Sequence, residues 1–371
     1  MSWRILPAIR IPGTGIAAVF RRKMKIAQIA PLAESVPPRL YGGTERVVSY
    51  LTEELVRLGH DVTLFASGDS QTSARLVACA PRALRLDPSV TDALPHHLLM
   101  IERVRSRMHE FDVLHFHVDQ VHLPLFRPYA RKCITTLHGR LDVADLAALY
   151  REFDEMPLVS ISDSQRKPLP FANWVGTVYH GLAEPVCPFN PGPRGNYLAF
   201  LGRMSPEKGV ERAIEIARRS GRRLRIAAKI DRTEEDYYRS RVAPLLSDPL
   251  IDFIGEVGEA EKPGFLGNAA ALLFPIDWPE PFGLAMIEAM SCGTPVIAWP
   301  NGAVPEIVEH GVTGLVVGSI EEAVRAVNEL PRLDRAAVRR RFEERFSASR
   351  MARDYLAIYR RLARKLPVAA E

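Results

Sequence analysis

YLAFLGRMSPEKGVERAIEIA, residues 197–217, decides the fold. Tyr197-Leu-Ala-Phe-Leu201 is an apolar run of strand length. Gly202 to Gly209 is a loop rich in charge. Val210, Ala213, Ile214 and Ala217 then recur at helical spacing, and Leu224-Arg-Ile-Ala-Ala228 is the next apolar run. Strand, loop, helix and strand in that order predict a βαβ crossover and hence a parallel sheet. Further strands are expected at Ile251–Ile254, Ala271–Phe274, Pro295–Ala298 and Gly314–Val317.

The same alternation fills the first half of the chain. Ile26–Ala30 reads as a strand, and Gly42-Gly43-Thr44 opens a helix over Glu45–Leu58 with Val47, Val48, Leu51 and Leu55 on one face. Asp61–Phe65, Phe111–His117, Cys133–Leu137 and Leu158–Ile161 read as further strands. Between the two series, Glu184 to Asn196 carries Pro185, Pro188, Pro191, Pro193, Gly192 and Gly195, the composition of a linker. The fold class is therefore α/β: two Rossmann-like parallel-sheet domains, residues 24–183 and 197–346, facing each other across a deep cleft. Residues 347–371 form a helix that returns towards the first domain, with Met351, Tyr355, Ile358, Tyr359 and Leu362 as its apolar face. Ligands of such sheets sit at the carboxyl ends of the strands.

At 371 residues the length suits two domains of roughly 100–200 residues each. Cys79, Cys133, Cys187 and Cys292 are scattered, which fits a reducing, cytoplasmic compartment better than a disulfide framework. No apolar run reaches the ~18 residues of a spanning helix. Residues 1–23 read as a disordered leader or an upstream start site, with a membrane-surface anchor as the weaker alternative. Gly13-Thr-Gly15-Ile-Ala-Ala18 within them lacks the flanking strand and helix that a dinucleotide fingerprint requires. A net charge of +5 favours anionic ligands. No basic stripe interleaved with aromatics points to nucleic acid. The arginine-rich last helix reads as a solvated face, with weak contact to anionic lipid at the inner membrane surface as the alternative.

Two segments carry chemistry. In Pro279–Glu288, Phe282-Gly283-Leu284 stands where a helix begins, and exposed N–H groups there suit phosphate and sugar oxygens. Glu280 precedes that helix and Glu288 lies inside it, so one carboxylate can reach a sugar and the other a ribose. In Gly202–Gly209, Arg203 and Lys208 bring a forked guanidinium and a point charge to a strand-end loop, a combination that can neutralise a diphosphate without metal. His115 and His117 share a strand face, but no carboxylate or thiol cluster completes a metal set, so packed or cleft-lining histidines are expected.

Taken together, these segments resemble the signature of the family-4 glycosyltransferases, which are retaining enzymes of GT-B fold. The resemblance rests on Gly202-Arg203, Glu207-Lys208-Gly209 and the pair Glu280 and Glu288 around Phe282-Gly283-Leu284. It extends to Gly42-Gly43-Thr44-Glu45, His138-Gly139, Ser162-Asp-Ser164, His180-Gly181 and Asn301-Gly302-x-x-Pro305-Glu306. It implies that Arg203 and Lys208 hold the diphosphate and that Glu288 holds the ribose. Glu280 with the backbone of Phe282, Gly283 and Leu284 would hold the donor sugar. Gly43 would approach the phosphates, and His138 would lie near sugar and acceptor. Lys229 is either a further positive charge near the nucleotide or an exposed side chain. The implied reaction moves a sugar from a nucleoside diphosphate sugar, a co-substrate rather than a cofactor, to a saccharide, lipid-linked or small-molecule hydroxyl acceptor. A nucleotide-sugar epimerase and a catalytically silent nucleotide-sugar-binding protein are the alternatives. The stretch from Asp69 to Pro95 reads as irregular and polar.

Overall fold

The computed structural model describes residues 23–39, 42–183, 188–193 and 195–364. Residues 1–22 of the leader, including the glycine motif at 13–18, lie outside the described residues, as do Glu184–Cys187 in the linker and the last seven positions.

The first sheet has seven strands: β1 (Lys25–Ile29), β2 (Asp61–Ser67), β3 (Arg75–Ala80), β4 (Val113–Phe116), β5 (Cys133–Thr136), β6 (Leu158–Ser160) and β7 (Trp174–Thr177). They lie in the order β3-β2-β1-β4-β5-β6-β7, and every pairing is parallel. The second sheet has six: β8 (Tyr197–Arg203), β9 (Arg223–Lys229), β10 (Ile251–Gly255), β11 (Ala271–Phe274), β12 (Val296–Ala298) and β13 (Gly314–Val316), in the order β10-β9-β8-β11-β12-β13. These too pair in parallel. Chain order reverses between β1 and β4 and again between β8 and β11, the switch points where such sheets open a crevice.

The central strands are buried on both faces, as their near-continuous apolar sequence demands. β3 and β7 were not legible. β3 falls inside the stretch read as irregular, and β7 was not read at all. Both are edge strands, and most of their residues are only half-buried or exposed, so neither needs an apolar run.

The helix Gly43–Arg57 buries Val47, Val48, Leu51 and Leu55 against the first sheet. The last helix, Ala348–Arg364, lies on the same side. Its Met351, Tyr355, Tyr359 and Leu362 share one core with Ile26, Val47, Val113 and Ile134. Two chain crossings join the domains side by side. Leu182 N donates to Phe346 O at 2.8 Å, and Ala348 N donates to Leu182 O at 2.8 Å. Gly181 is required there, because a Cβ would stand 2.3 Å from the Ser347 carbonyl oxygen. Among the described residues no helix is long and apolar enough to cross a membrane.

Candidate active site

The carboxyl ends of both sheets face one another across a cavity of about 470 Å³. From the second sheet it is lined by Gly202, Arg203, Lys208 and Glu280, and by the turn Phe282-Gly283-Leu284. From the first it is lined by Gly43, Thr44, Glu45, Arg85, His138 and His180. A smaller lobe of about 130 Å³ continues past Gly43 to Ala227, Lys229, Val257, Lys262 and Glu288. The residues singled out in the sequence therefore meet at one cleft. Glu288 and Lys229 line the smaller lobe, and the others line the larger one.

Local chain geometry places each group. β8 ends at Arg203, and a single turn, Pro206–Lys208, carries Lys208 over the cavity before Gly209 starts the helix Val210–Ser220. Gly209 has φ +74°, and a Cβ would lie 2.1 Å from Pro275 O, so only glycine lets the loop close on β11. Gly283, at φ +89°, opens the eight-residue helix Leu284–Ser291 with no side-chain cap, leaving first-turn N–H groups for a ligand. Met286 and Phe274 pack where a Cβ at Gly283 would point.

The charged groups of the cleft are paired with one another. Lys208 Nζ lies 2.5 Å from Glu280 Oε2 and 4.7 Å from the centre of the Trp278 ring, and Trp278 Nε1 donates to the same carboxylate oxygen at 3.0 Å. Arg203 reaches Glu207 at 3.0 Å. Glu288 is buried and accepts from Lys262 Nζ at 2.7 Å; Lys262 also holds Glu259 at 2.6 Å, and Glu259 meets Arg46 of the first domain at 3.2 Å. Both carboxylates hold the Lys262 ammonium in its charged form against the effect of burial, so its pKa is raised. Lys229 pairs with Asp231 at 2.9 Å.

His138 is half-buried and stacks on His180 with ring centres 5.3 Å apart, and His180 in turn touches the Phe282 ring at 4.7 Å. Burial brings the His138 pKa down to about 3 and pulls His180 well below its usual value, so both rings are neutral at pH 7. His115 and His117 are packed inside the first domain. Among the described residues no group of three or more His, Cys, Asp or Glu side chains is placed to hold a metal ion.

Other contacts were not foreseen. Ser162 donates to Pro281 O at 2.7 Å, while Glu306 accepts the backbone N–H groups of Asp163 and Ser164 at 2.8 and 2.7 Å. The domains are thus fastened to one another beside the cavity, which Ile161 and Pro281 line. Lys262, Glu259, Arg46 and Trp278 also went unremarked. A lone charge gives no local signal of a partner far along the chain, as Arg46 and Glu259 are, whereas Trp278 stands two positions before Glu280 in the same short stretch.

Two family profiles together match residues 41–346: "Glycosyltransferase Family 4" over residues 41–194 and "Glycosyl transferases group 1" over residues 189–346. The glycogen synthase of Mycobacterium tuberculosis is 26% identical over 376 residues, covering 86% of this chain and 89% of that protein. The crystal structure of AviGT4, a glycosyltransferase involved in avilamycin A biosynthesis, superposes with a TM-score of 0.71 at 27% identity, covering 92% of this chain and 99% of that one. HepE of Anabaena, solved in complex with UDP and glucose, superposes with a TM-score of 0.69 at 17% identity over 90% of this chain and 98% of its own. With both sheets, both halves of the motif set and both profiles in agreement, the chain belongs to the family-4 glycosyltransferases of GT-B fold.

Proposed function

We propose that this glycosyltransferase moves a sugar, with retention of anomeric configuration and without a metal ion, from a nucleoside diphosphate sugar to a hydroxyl acceptor. The observation that carries this reading is the convergence of Arg203, Lys208 and Glu280 on one wall of the cavity, opposite Gly43 and His138. Arg203 and Lys208 bind the diphosphate oxygens and stabilise the negative charge that gathers on them as the glycosidic bond breaks. Glu280 exchanges its bond to Lys208 for a donor-sugar hydroxyl. The N–H groups of Phe282, Gly283 and Leu284 hold the sugar and phosphate from the helix start. Glu288 accepts the ribose hydroxyls, with Lys229 adding positive charge near the nucleotide.

No carboxylate is assigned as a covalent nucleophile. The acceptor oxygen attacks the anomeric carbon from the side the diphosphate leaves. The acceptor's proton passes to the departing phosphate oxygen, and the bonding pair of the broken C–O bond stays on that oxygen. A UDP donor is one candidate, by likeness to HepE. The acceptor is a saccharide, a lipid-linked sugar or a small molecule that enters the cavity beside Gly43 and His138. A cytoplasmic enzyme, with weak contact to anionic lipid through its arginine-rich last helix, is the accompanying expectation.

Calorimetric titration with UDP, GDP and ADP in the presence of a chelator tests the reading. One nucleotide binds, and Lys208→Ala loses that binding and roughly 100- to 1,000-fold in turnover, the usual effect of removing one preorganised charge partner. Equal binding and turnover in the variant would sink the assignment, as would loss of wild-type activity on chelation. An inverted anomer in the product would remove retention.

A further inference from the structure

An unbroken chain of hydrogen bonds joins the last helix to the cleft. Gln28 on β1 is fully buried, and its register partner on β4 is His115. The Gln28 amide nitrogen donates to the Tyr359 hydroxyl at 3.1 Å, and its amide oxygen lies 2.8 Å from His117 Nε2. His117 Nδ1 lies 2.9 Å from His138 Nε2. On the other arm the Tyr359 hydroxyl lies 2.7 Å from His115 Nδ1, and His115 Nε2 lies 2.7 Å from the Thr136 hydroxyl. Of these groups only His138 lines the cavity.

With the Gln28 amide oriented as it is, donor and acceptor chemistry gives each histidine bond a direction. A carboxamide oxygen only accepts, so His117 carries its proton on Nε2. A neutral imidazole has one N–H, so His117 Nδ1 accepts and His138 carries its proton on Nε2. That leaves His138 Nδ1 with a bare lone pair. The second arm agrees. Tyr359 accepts from Gln28, which leaves its O–H free to donate to His115 Nδ1, with His115 Nε2–H donating to Thr136. Turning the Gln28 amide over would reverse every bond together and put a proton on His138 Nδ1. The reversed chain is also self-consistent, so nothing beyond Gln28 selects between the two. Burial keeps all of these rings neutral, as the argument requires.

We propose that Gln28 and Tyr359 are positioning residues that hold His138 as its Nε2–H tautomer, so that His138 Nδ1 meets the substrate as a hydrogen-bond acceptor. This rests on reading the cleft as the site of sugar transfer. It makes His138 select a hydroxyl, from donor sugar or acceptor, and disfavour a phosphate or carbonyl oxygen at that point, because an acceptor facing an acceptor leaves both unpaired. The C-terminal helix, which touches no part of the cavity through Tyr359, thereby sets the chemistry of a group inside it.

Protein labelled with ¹⁵N-histidine tests this without substrate. Long-range ¹H–¹⁵N correlation reports which ring nitrogen carries the proton, and the His138→Ala spectrum assigns the signal. The expected result is Nε2–H in the wild type and a tautomer mixture in Tyr359→Phe and Gln28→Met. In both variants kcat falls roughly tenfold, while the nucleotide Kd changes less than about twofold, the split expected when only the transition-state contact is lost. Tyr359→Phe keeps the ring and its packing, so it remains the test if Gln28→Met does not fold. A wild-type His138 protonated on Nδ1 overturns the proposal, as does a folded Tyr359→Phe that keeps both tautomer and turnover. Full turnover in His138→Ala refutes instead the place of His138 in transfer, whatever the tautomer.

Discussion

Acid should unfold the first domain before the second. His115, His117, His122 and His180 are each no more than 3% exposed, and burial lowers the pKa of every one, to about 3 for His122. Three lie within the first sheet's domain and His180 at its exit, whereas His310, in the second domain, is exposed. A group held neutral in the folded state and free to protonate near pH 6.5 when unfolded gives its full stability above that pH and loses it as pH falls towards the folded value. Between pH 7 and 5.5 each such histidine removes about 1.3 kcal/mol, so the four together remove about 5 kcal/mol. Glu34, Glu45 and Asp119, whose pKa values burial raises, work in the opposite direction, since in the folded state they take up protons above the ordinary carboxylate range and offset part of this loss. A loss of that size compares with the roughly 5–15 kcal/mol of a whole domain. Urea unfolding at pH 7 and pH 5.5, followed by far-UV circular dichroism, should split into two steps at the lower pH. Hydrogen exchange should show β1, β4 and β5 opening first. An unchanged first midpoint, or earlier opening of β8 and β11, would refute the reasoning.

Three further outcomes follow from individual contacts. Lys262→Met strands the buried Glu288 carboxylate, and removing one partner of such a pair costs about 3–5 kcal/mol; the urea midpoint of the second domain should drop, and nucleotide affinity with it. Gly302→Ala places a Cβ 2.2 Å from Glu280 N, so Glu280 must move; turnover should fall at least roughly tenfold while calorimetric binding of the nucleotide persists. Gly209→Ala, at φ +74° and 2.1 Å from Pro275 O, should lose nucleotide binding and melt several degrees lower, as a strained backbone costs about 1–3 kcal/mol.

The second sheet's central strands were legible because they are buried on both faces and separated by amphipathic helices. Arg203, Lys208 and Glu280 were legible because strand-end loops concentrate them within short stretches, and Glu288 because it follows in the first turns of the next helix. Edge strands β3 and β7 escaped because half-buried backbone imposes no apolar pattern. Partners distant in sequence escaped for a different reason. Gln28 and Tyr359, 331 positions apart, meet only because a helix from one end of the chain seats on a strand from the other. His115 and His117 were placed correctly on one strand face, and their packing against one another and Tyr355 had no local signature.

The seat of the last helix also bears on the order of synthesis. Every strand of the first sheet has been synthesised by Thr177, yet the helix that covers its Ile26, Val113 and Ile134 begins at Ala348, about 170 residues later. At a translation rate of about 5–20 residues per second the delay is roughly 10–30 s. Through that interval the nascent first domain carries an uncovered apolar face, with Gln28 and His115 lacking the tyrosine that joins them. This half of the protein is the one that a chaperone would have to guard, and a chain stopped short of residue 348 would leave it open for good.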